Sequence, residues 1–243
     1  MLNNPKNSFI FWISILVIFI SVVVIGNANA MDSRSRSLFL YGISALQLFF
    51  SFGLMYYIYK KAAGFWPVTT TRNCGKTLAV YALGLGILVI ALVLISSFTI
   101  RKNDLHIDLS TLAWVIVYQF VFISLVEEVI FRGFVFSSFP MQPLKAILVS
   151  SLLFALYHWN NGLISMPYFL SIGVLLAVFR HFNYPLYVLV IWHALFNILN
   201  QTLLPFDGFR FGWLPFYTVM PLFFIGVACL SGWILGRIDN KRG

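Results

Sequence analysis

The stretch of sequence that decides the fold is Leu125-Val126-Glu127-Glu128-Val129-Ile130-Phe131-Arg132-Gly133. It holds the only two glutamates of the 243-residue chain, side by side, in a segment from 113 to 139 that is otherwise almost wholly apolar. Ionisable side chains cost several kcal/mol inside a bilayer, so they are rare there and usually face a cavity, a partner or a substrate path. The position of these two glutamates therefore predicts a functional site within a membrane.

The composition indicates an integral membrane protein, whose apolar surface faces lipid. Hydrophobic residues make up 60% of the sequence and charged residues only 9%, more apolar surface than a soluble domain of this length can bury. The net charge of +9 is spread over short loops, so no basic face suggests a nucleic-acid partner. The two cysteines, Cys74 and Cys229, are far apart and predict neither a disulfide framework nor a thiolate metal site.

The pattern of apolar segments predicts an all-α, polytopic membrane protein with an intramembrane catalytic cavity, built as a single integral membrane domain over residues 1–243. A spanning helix needs roughly 20 apolar residues, and several segments reach that length, although 144–158 and 163–180 are short. Long apolar runs without period-two alternation favour helices over a barrel. About eight transmembrane helices are predicted, at about 9–26, 38–59, 78–100, 111–136, 144–158, 163–180, 184–202 and 212–235.

The orientation follows from the loops. With the N-terminus inside, ten Lys and Arg residues fall on the inner side and five on the outer side, Arg132 being set aside as intramembrane. The positive-inside bias predicts a multi-pass protein of the cell (plasma) membrane with both termini cytoplasmic. Lys6 and the Ala28-Asn29-Ala30 box imitate a signal peptide, but the apolar run between them is longer than usual, so a retained first helix is expected.

Two of the four histidines lie in apolar segments. His158 ends the fifth segment and His193 lies deep in the seventh, whereas His106 and His181 have polar surroundings and are expected to be solvated. Asn197 follows His193 by four residues, which places both on one helix face. Counted at 1.5 Å per residue from the nearest turns, Glu127 and the two membrane histidines all fall in the central part of a hydrocarbon slab of roughly 30 Å. Convergence of the three side chains is therefore predicted.

Helix geometry predicts different roles for the two glutamates. Adjacent helical residues point about 100° apart, so Glu127 and Glu128 are not expected to address one spot. Arg132 is the i+4 partner of Glu128, which predicts a buried, charge-balanced pair and leaves Glu127 facing the cavity as a general base for water. The water and a developing oxyanion would be held by the polar side chains of later helices. These are His158, His193 and Asn197.

Each of these residues also has a structural interpretation. A Glu–Arg pair can join helices or tune a conformational switch, and a lone histidine or asparagine in a spanning helix commonly hydrogen-bonds a neighbouring helix. The complete set at matching depth favours a catalytic site, because so many polar groups rarely serve as unrelated contacts.

Three motifs occur in order: Glu-Glu-x-x-x-Arg at 127–132, Phe-x-x-x-His at 154–158 and His-x-x-x-Asn at 193–197. Together they resemble the CAAX protease and bacteriocin-processing (CPBP) family, the Abi or type II CAAX prenyl endopeptidase group of intramembrane proteases. The resemblance covers a core from about 111 to 200, with all three motifs intact. It implies an endopeptidase that hydrolyses a peptide bond in a membrane-associated peptide or protein. Its bacterial branch implies roles such as pheromone processing, bacteriocin immunity or regulation of membrane sensor proteins.

The resemblance also implies roles for six of the seven motif residues, all except Phe154. Glu127 would activate water, supported by Glu128 and Arg132, and His158 would assist at the scissile carbonyl. The oxyanion-binding side would be formed by His193 and Asn197.

The cofactor stays open, because the family is described both as metal-dependent and as a glutamate-type protease. Glu127, His158 and His193 would make a plausible two-His-one-Glu set for a divalent metal such as zinc. They come from three helices, however, and lack the HExxH spacing that places two ligands on one helix, so a metal-free mechanism is slightly favoured.

Two other functions are considered. The first is a non-proteolytic membrane scaffold that binds and regulates another membrane protein, such as a sensor kinase; an intact set of motifs argues against it, because a scaffold needs no base. The second is a proton-coupled transporter with Glu127 as the carrier. It ranks last, because the sequence has neither inverted repeats nor matching Gly/Pro-broken helices.

Overall fold

The computed structural model describes residues 74–101, 109–139, 141–182, 184–203 and 206–240, together with isolated positions between 13 and 49. The first two predicted segments, 9–26 and 38–59, lie almost wholly outside the described residues, as does His106. Within the described ranges the chain is mostly helical, and its helices follow the last six predicted segments. In chain order, α1 is Cys74–Phe98, α2 runs from Leu109 to Val135, α3 is Pro143–Tyr157, α4 is Met166–His181, α5 is Leu186–Asn197 and α6 is Trp213–Asn240.

Three stretches of the described helices are long and apolar enough to cross a membrane: Leu112–Val135, Leu163–His181 and Trp213–Arg237. Shorter apolar helices lie beside them, at Leu83–Phe98, Pro143–Tyr157 and Leu186–Asn200. An integral, mostly helical membrane protein accounts for these segments, while the multi-pass topology, the total of eight helices and the orientation of the termini stay predictions.

The prediction of an all-helical chain is incomplete, because one short ribbon joins two helix ends. Strand β1, Thr99–Arg101, follows α1 and pairs antiparallel with strand β2, Phe206–Phe209, which precedes α6; Thr99 lies opposite Phe209. The end of α1 and the start of α6 therefore lie at the same end of the bundle. Pairing the two connecting segments there satisfies backbone groups that a membrane would leave without water.

The helix that carries the two glutamates is irregular on both sides of them. Within α2, the α-helical segments Leu109–Val117 and Leu125–Glu128 alternate with the π-helical segments Tyr118–Ser124 and Val129–Val135. Each π turn takes up an extra residue, and such segments are frequent at functional sites. Every residue from 126 to 135 is buried, because α3, α4 and α5 surround this part of α2. Full burial explains why the segment is apolar on all sides of the helix.

Helices α3 and α4 form a close antiparallel pair, and His158, at the end of α3, lies beside α2. At their crossing a Cβ on Gly173 would lie 3.0 Å from the Cα of Ser151, so only glycine allows the two backbones to approach this closely. The connection between the helices contains a 3₁₀ segment, Trp159–Asn161, followed by Gly162 with a φ of 87°.

Candidate active site

The centre of the candidate site is a buried ion pair on α2. Nη1 of Arg132 lies 3.2 Å from Oε1 of Glu128, and both side chains are fully buried, which confirms the pairing that the i,i+4 spacing predicts. Two further contacts hold the guanidinium. Nη2 donates to the carbonyl of Gly173 at 3.3 Å, and the charge lies 4.3 Å from the centroid of the Phe154 ring. Arg132 therefore fixes Glu128 and ties α2 to both α3 and α4.

His193 of α5 lies against both glutamates. Its Nδ1 is 2.8 Å from Oε1 of Glu128, and its Nε2 is 3.7 Å from Oε2 of Glu127. The expectation that the two glutamates do not address one spot is therefore wrong for this ring. The imidazole has a nitrogen on each of two edges, and the π-helical turns beside Leu125–Glu128 alter the angle between neighbouring side chains.

His158 approaches Glu127 from the end of α3. Its Nε2 lies 3.8 Å from Oε2 of Glu127, and its Nδ1 lies 2.9 Å from the carbonyl oxygen of Phe154, one turn earlier in the same helix. A carbonyl can only accept, so Nδ1 carries a proton; in the neutral tautomer with this proton, Nε2 presents its lone pair on the edge of the ring that faces Glu127. The predicted convergence of Glu127, His158 and His193 is confirmed as geometry.

Aromatic rings surround this polar cluster, and sequence reasoning missed most of them. Phe169 of α4 stacks on the ring of His158, with centroids 4.2 Å apart and planes 17° from parallel. Phe131 and Tyr157 pack edge to face at 5.7 Å, next to Phe154. Rings of this kind exclude water and fix the orientation of the imidazoles. Nothing in the local pattern of α4 distinguishes Phe169 from the other apolar residues there.

Gln47 is a further polar residue that the sequence did not single out. It is buried, and its amide exchanges hydrogen bonds with the hydroxyl of Tyr157, at 3.1 Å from Nε2 and 3.3 Å from Oε1. The pair brings Gln47, which belongs to the second predicted segment, into contact with the residue that precedes His158.

The remaining predicted polar residues have different surroundings. Asn197 lies one turn after His193 on α5 and is buried, but none of the ion pairs and hydrogen bonds described above involves it. His181 lies exposed at the end of α4, as predicted. Cys229 has a free, exposed thiol on α6.

The sequence leaves open whether Glu127, His158 and His193 hold a divalent metal such as zinc. In the described parts of the chain, no group of three or more His, Cys, Asp or Glu side chains is placed to hold a metal ion. The two imidazole Nε2 atoms lie 3.7 and 3.8 Å from the same oxygen of Glu127, so the three side chains converge without forming such a group.

A buried carboxylate therefore faces two histidines among the described helices. Residues 109–199 match the family model described as type II CAAX prenyl endopeptidase Rce1-like, which confirms the resemblance predicted from the three motifs. No curated protein and no solved structure matches the chain significantly. The matched segment contains α2 to α5 and all the motif residues, and supports a protease of the membrane-endopeptidase kind at the level of the family.

Proposed function

We propose that this protein is an intramembrane endopeptidase that hydrolyses a peptide bond in a membrane-associated peptide or protein, with Glu127 as the general base. The observation that carries the proposal is the position of the Glu127 carboxylate. Its Oε2 atom is buried, makes no hydrogen bond within the described structure, and lies within 3.8 Å of two imidazole nitrogens. A buried carboxylate oxygen without a partner is costly in a structural role but is suited to accepting a proton.

The distances suit a water molecule held among these groups. Contacts of 3.7 and 3.8 Å are longer than hydrogen bonds, and a water beside Oε2 can donate one proton to Glu127 and the other toward Nε2 of His158. Its remaining lone pair is then available to the scissile carbonyl. Glu127 takes up the proton as the oxygen–carbon bond forms, and later returns it to the nitrogen of the leaving amine as the carbon–nitrogen bond breaks.

The second imidazole suits the stabilisation of negative charge. Nδ1 of His193 donates to Glu128, which is already paired with Arg132, so the ring keeps a fixed orientation with Nε2 facing the reacting atoms. When the ring carries a proton on Nε2 as well as on Nδ1, Nε2 can donate a hydrogen bond to the oxyanion of the tetrahedral intermediate. Asn197, one turn further along α5, is a second candidate donor for that oxyanion.

The candidate site lies in an apolar helical stretch, where a membrane-embedded substrate could reach it. Glu127 and Glu128 lie within Leu112–Val135, a stretch long enough to span a bilayer, and the rings of Phe131, Phe154 and Phe169 provide apolar walls around the polar groups. A peptide bond that enters from the membrane would be shielded from bulk water, which strengthens the electrostatic interactions at the site.

The test is cleavage of a model membrane peptide by purified protein in lipid vesicles, with wild type beside Glu127→Gln. Removal of a general base costs about 10²–10⁴-fold in rate, so cleavage by Glu127→Gln is expected to fall by that factor. Asp207→Asn is the matched control, because it makes the same chemical change at an exposed carboxylate on β2. Equal cleavage by wild type and Glu127→Gln would contradict the proposal.

Repeating the cleavage assay in the presence of a metal chelator tests whether the reaction requires a metal ion. Cleavage that survives chelation and disappears in both Glu127→Gln and His193→Ala identifies a glutamate protease. Cleavage that is lost on chelation and restored by zinc assigns Glu127, His158 and His193 as metal ligands.

A further inference from the structure

A cavity lies away from the two glutamates, where α2 ends, α3 begins and α4 ends. It has a volume of about 390 Å³, and Phe136 and Pro143 contribute to its walls. Phe136 follows Glu127 by nine residues along the helix, which is about 13 Å at 1.5 Å per residue. The cavity is therefore separate from the candidate active site. Because Arg180 and His181 line it, we call it the basic cavity.

The polar lining of the basic cavity is suited to an anion. Arg180 and His181 supply basic side chains, Ser137 supplies a hydroxyl, and none of the described residues that line the cavity is acidic. Met141 stands at its mouth with 97% of its surface exposed, so the cavity is open to a ligand at the end of the bundle. Guanidinium, imidazole and hydroxyl donors are the groups that bind phosphate oxygens in proteins.

Arg180 is oriented by the backbone around it. Its Nε donates to the carbonyl of Arg132 at 3.3 Å, and its Nη1 donates to the carbonyl of Tyr184 at 3.0 Å. Both acceptors are backbone carbonyls, and the two bonds orient the guanidinium at the wall of the cavity. Arg132 lies in the π-helical segment Val129–Val135, whose shifted hydrogen-bond pattern makes a carbonyl available to a side-chain donor.

The surroundings place this cavity at a basic end of the bundle. Lys145, at the start of α3, lies over the ring of Phe139, 5.1 Å from its centroid. Gly236 of α6 lies against Phe182, which follows α4, so the neighbouring Arg237 belongs to the same end. At a membrane surface such an end attracts anionic headgroups.

We propose that the basic cavity binds the phosphate group of an anionic ligand, supplied by a phospholipid headgroup or by free phosphate. The phosphate oxygens are held by Arg180, His181 and Ser137. Since Arg180 also holds the carbonyl of Arg132, occupancy of the cavity braces the part of α2 that carries the catalytic carboxylates. The site is distinct from the proposed proteolytic centre, and its test does not depend on proteolysis.

The experiment measures ligand retention by the purified full-length protein. Protein from vesicles of phosphatidylcholine with a fixed fraction of phosphatidylglycerol is analysed by native mass spectrometry for retained phosphatidylglycerol, and inorganic phosphate binding is measured calorimetrically in neutral detergent. The variants are Arg180→Gln and Met141→Glu, which places a negative charge at the mouth of the cavity without altering a buried residue. Arg237→Gln is the control, because it removes one charge from the same end outside the cavity.

Wild type and Arg237→Gln are expected to retain phosphatidylglycerol in preference to phosphatidylcholine, and Arg237→Gln is expected to lose less retention than Arg180→Gln, because Arg237 does not line the cavity. Arg180→Gln and Met141→Glu are expected to reduce retention by about fivefold or more. Binding of inorganic phosphate that the same two variants weaken identifies free phosphate as the source instead of a headgroup. Should Arg180→Gln fail to fold, Met141→Glu still carries the test. Equal phosphatidylglycerol retention by wild type and Met141→Glu, with no binding of inorganic phosphate, would overturn the proposal.

Discussion

The Nδ1 atom of His193 lies 2.8 Å from Oε1 of Glu128, and this contact joins α5 to α2 at the centre of the candidate site. The same oxygen is 3.2 Å from the guanidinium of Arg132. One carboxylate oxygen therefore orients the imidazole and neutralises the buried cation. The arrangement gives Glu128 a positioning role that differs from the role proposed for Glu127, although the two residues are adjacent.

Glu128→Gln separates these roles. The amide keeps the size of the side chain but removes its charge, so His193 loses a charge-assisted hydrogen bond of about 1.5–3 kcal/mol. The rate of cleavage is expected to fall by about 10- to 100-fold through kcat, with little change in KM, because His193 acts on the oxyanion rather than on substrate binding. Steady-state kinetics on a model membrane peptide measure the two constants. A change confined to KM would contradict the positioning role.

Arg132→Met tests the buried pair through stability. The substitution leaves the Glu128 carboxylate buried and without its cation, and breaking a buried pair in this way costs about 3–5 kcal/mol. The midpoint of thermal unfolding in detergent is expected to fall clearly. In the double variant Glu128→Gln/Arg132→Met the midpoint should recover in part, because neither member of the pair leaves the other charge unpaired.

A matched control for Arg132→Met is Arg237→Met on α6. Arg237 lies over the ring of Trp233 at 4.1 Å from its centroid, near the end of the bundle, and has no part in the buried pair. Its loss is expected to change stability by less than about 1 kcal/mol. Equal shifts in the two variants would show that the buried pair has no special contribution.

The sequence predicted those parts of the site that depend on regular helix geometry. The four-residue spacing gave the Glu128–Arg132 pair, and equal depth in the membrane gave the convergence of His158 and His193 on Glu127. Both rules use only the rise and turn of an ideal helix.

The features that the sequence did not predict depend on rotations and on distant parts of the chain. The double contact of His193 depends on side-chain rotamers and on the π-helical turns of α2. The stacking of Phe169 on His158 depends on how α4 is rotated about its axis, which a segment apolar on all sides does not reveal. The β1–β2 ribbon is too short for a period-two pattern to be recognised in the sequence.

Gly173→Ala tests the close crossing of α3 and α4. A Cβ at this position would lie 3.0 Å from the Cα and 3.2 Å from the carbonyl oxygen of Ser151, so a backbone has to move. The movement is expected to cost about 1–3 kcal/mol, as for other overpacked interiors. The same movement should lower the rate of cleavage, because the carbonyl of Gly173 accepts a hydrogen bond from Nη2 of Arg132. Thermal unfolding and the cleavage assay measure the two effects on the same preparation.

Gly86→Ala is the control for that crossing. A Cβ on Gly86 would meet no atom within 4 Å, and the residue lies inside α1, where alanine is a better helix former than glycine by about 1 kcal/mol. Its stability is therefore expected to be unchanged or slightly raised. If Gly173→Ala behaved in the same way, the close approach of the two helices would not limit the fold.

The hydrogen bonds between Gln47 and Tyr157 link the site to a part of the chain that precedes the family match. Tyr157→Phe removes the hydroxyl and leaves the buried amide of Gln47 without this partner, which is expected to cost about 1–3 kcal/mol. The double variant Gln47→Leu/Tyr157→Phe removes both polar groups, so it should be more stable than Tyr157→Phe alone. Thermal unfolding of wild type, both single variants and the double variant completes the cycle. Additive losses would show that the two residues do not interact, whereas recovery in the double variant would establish that Gln47 packs against Tyr157 of α3, next to His158.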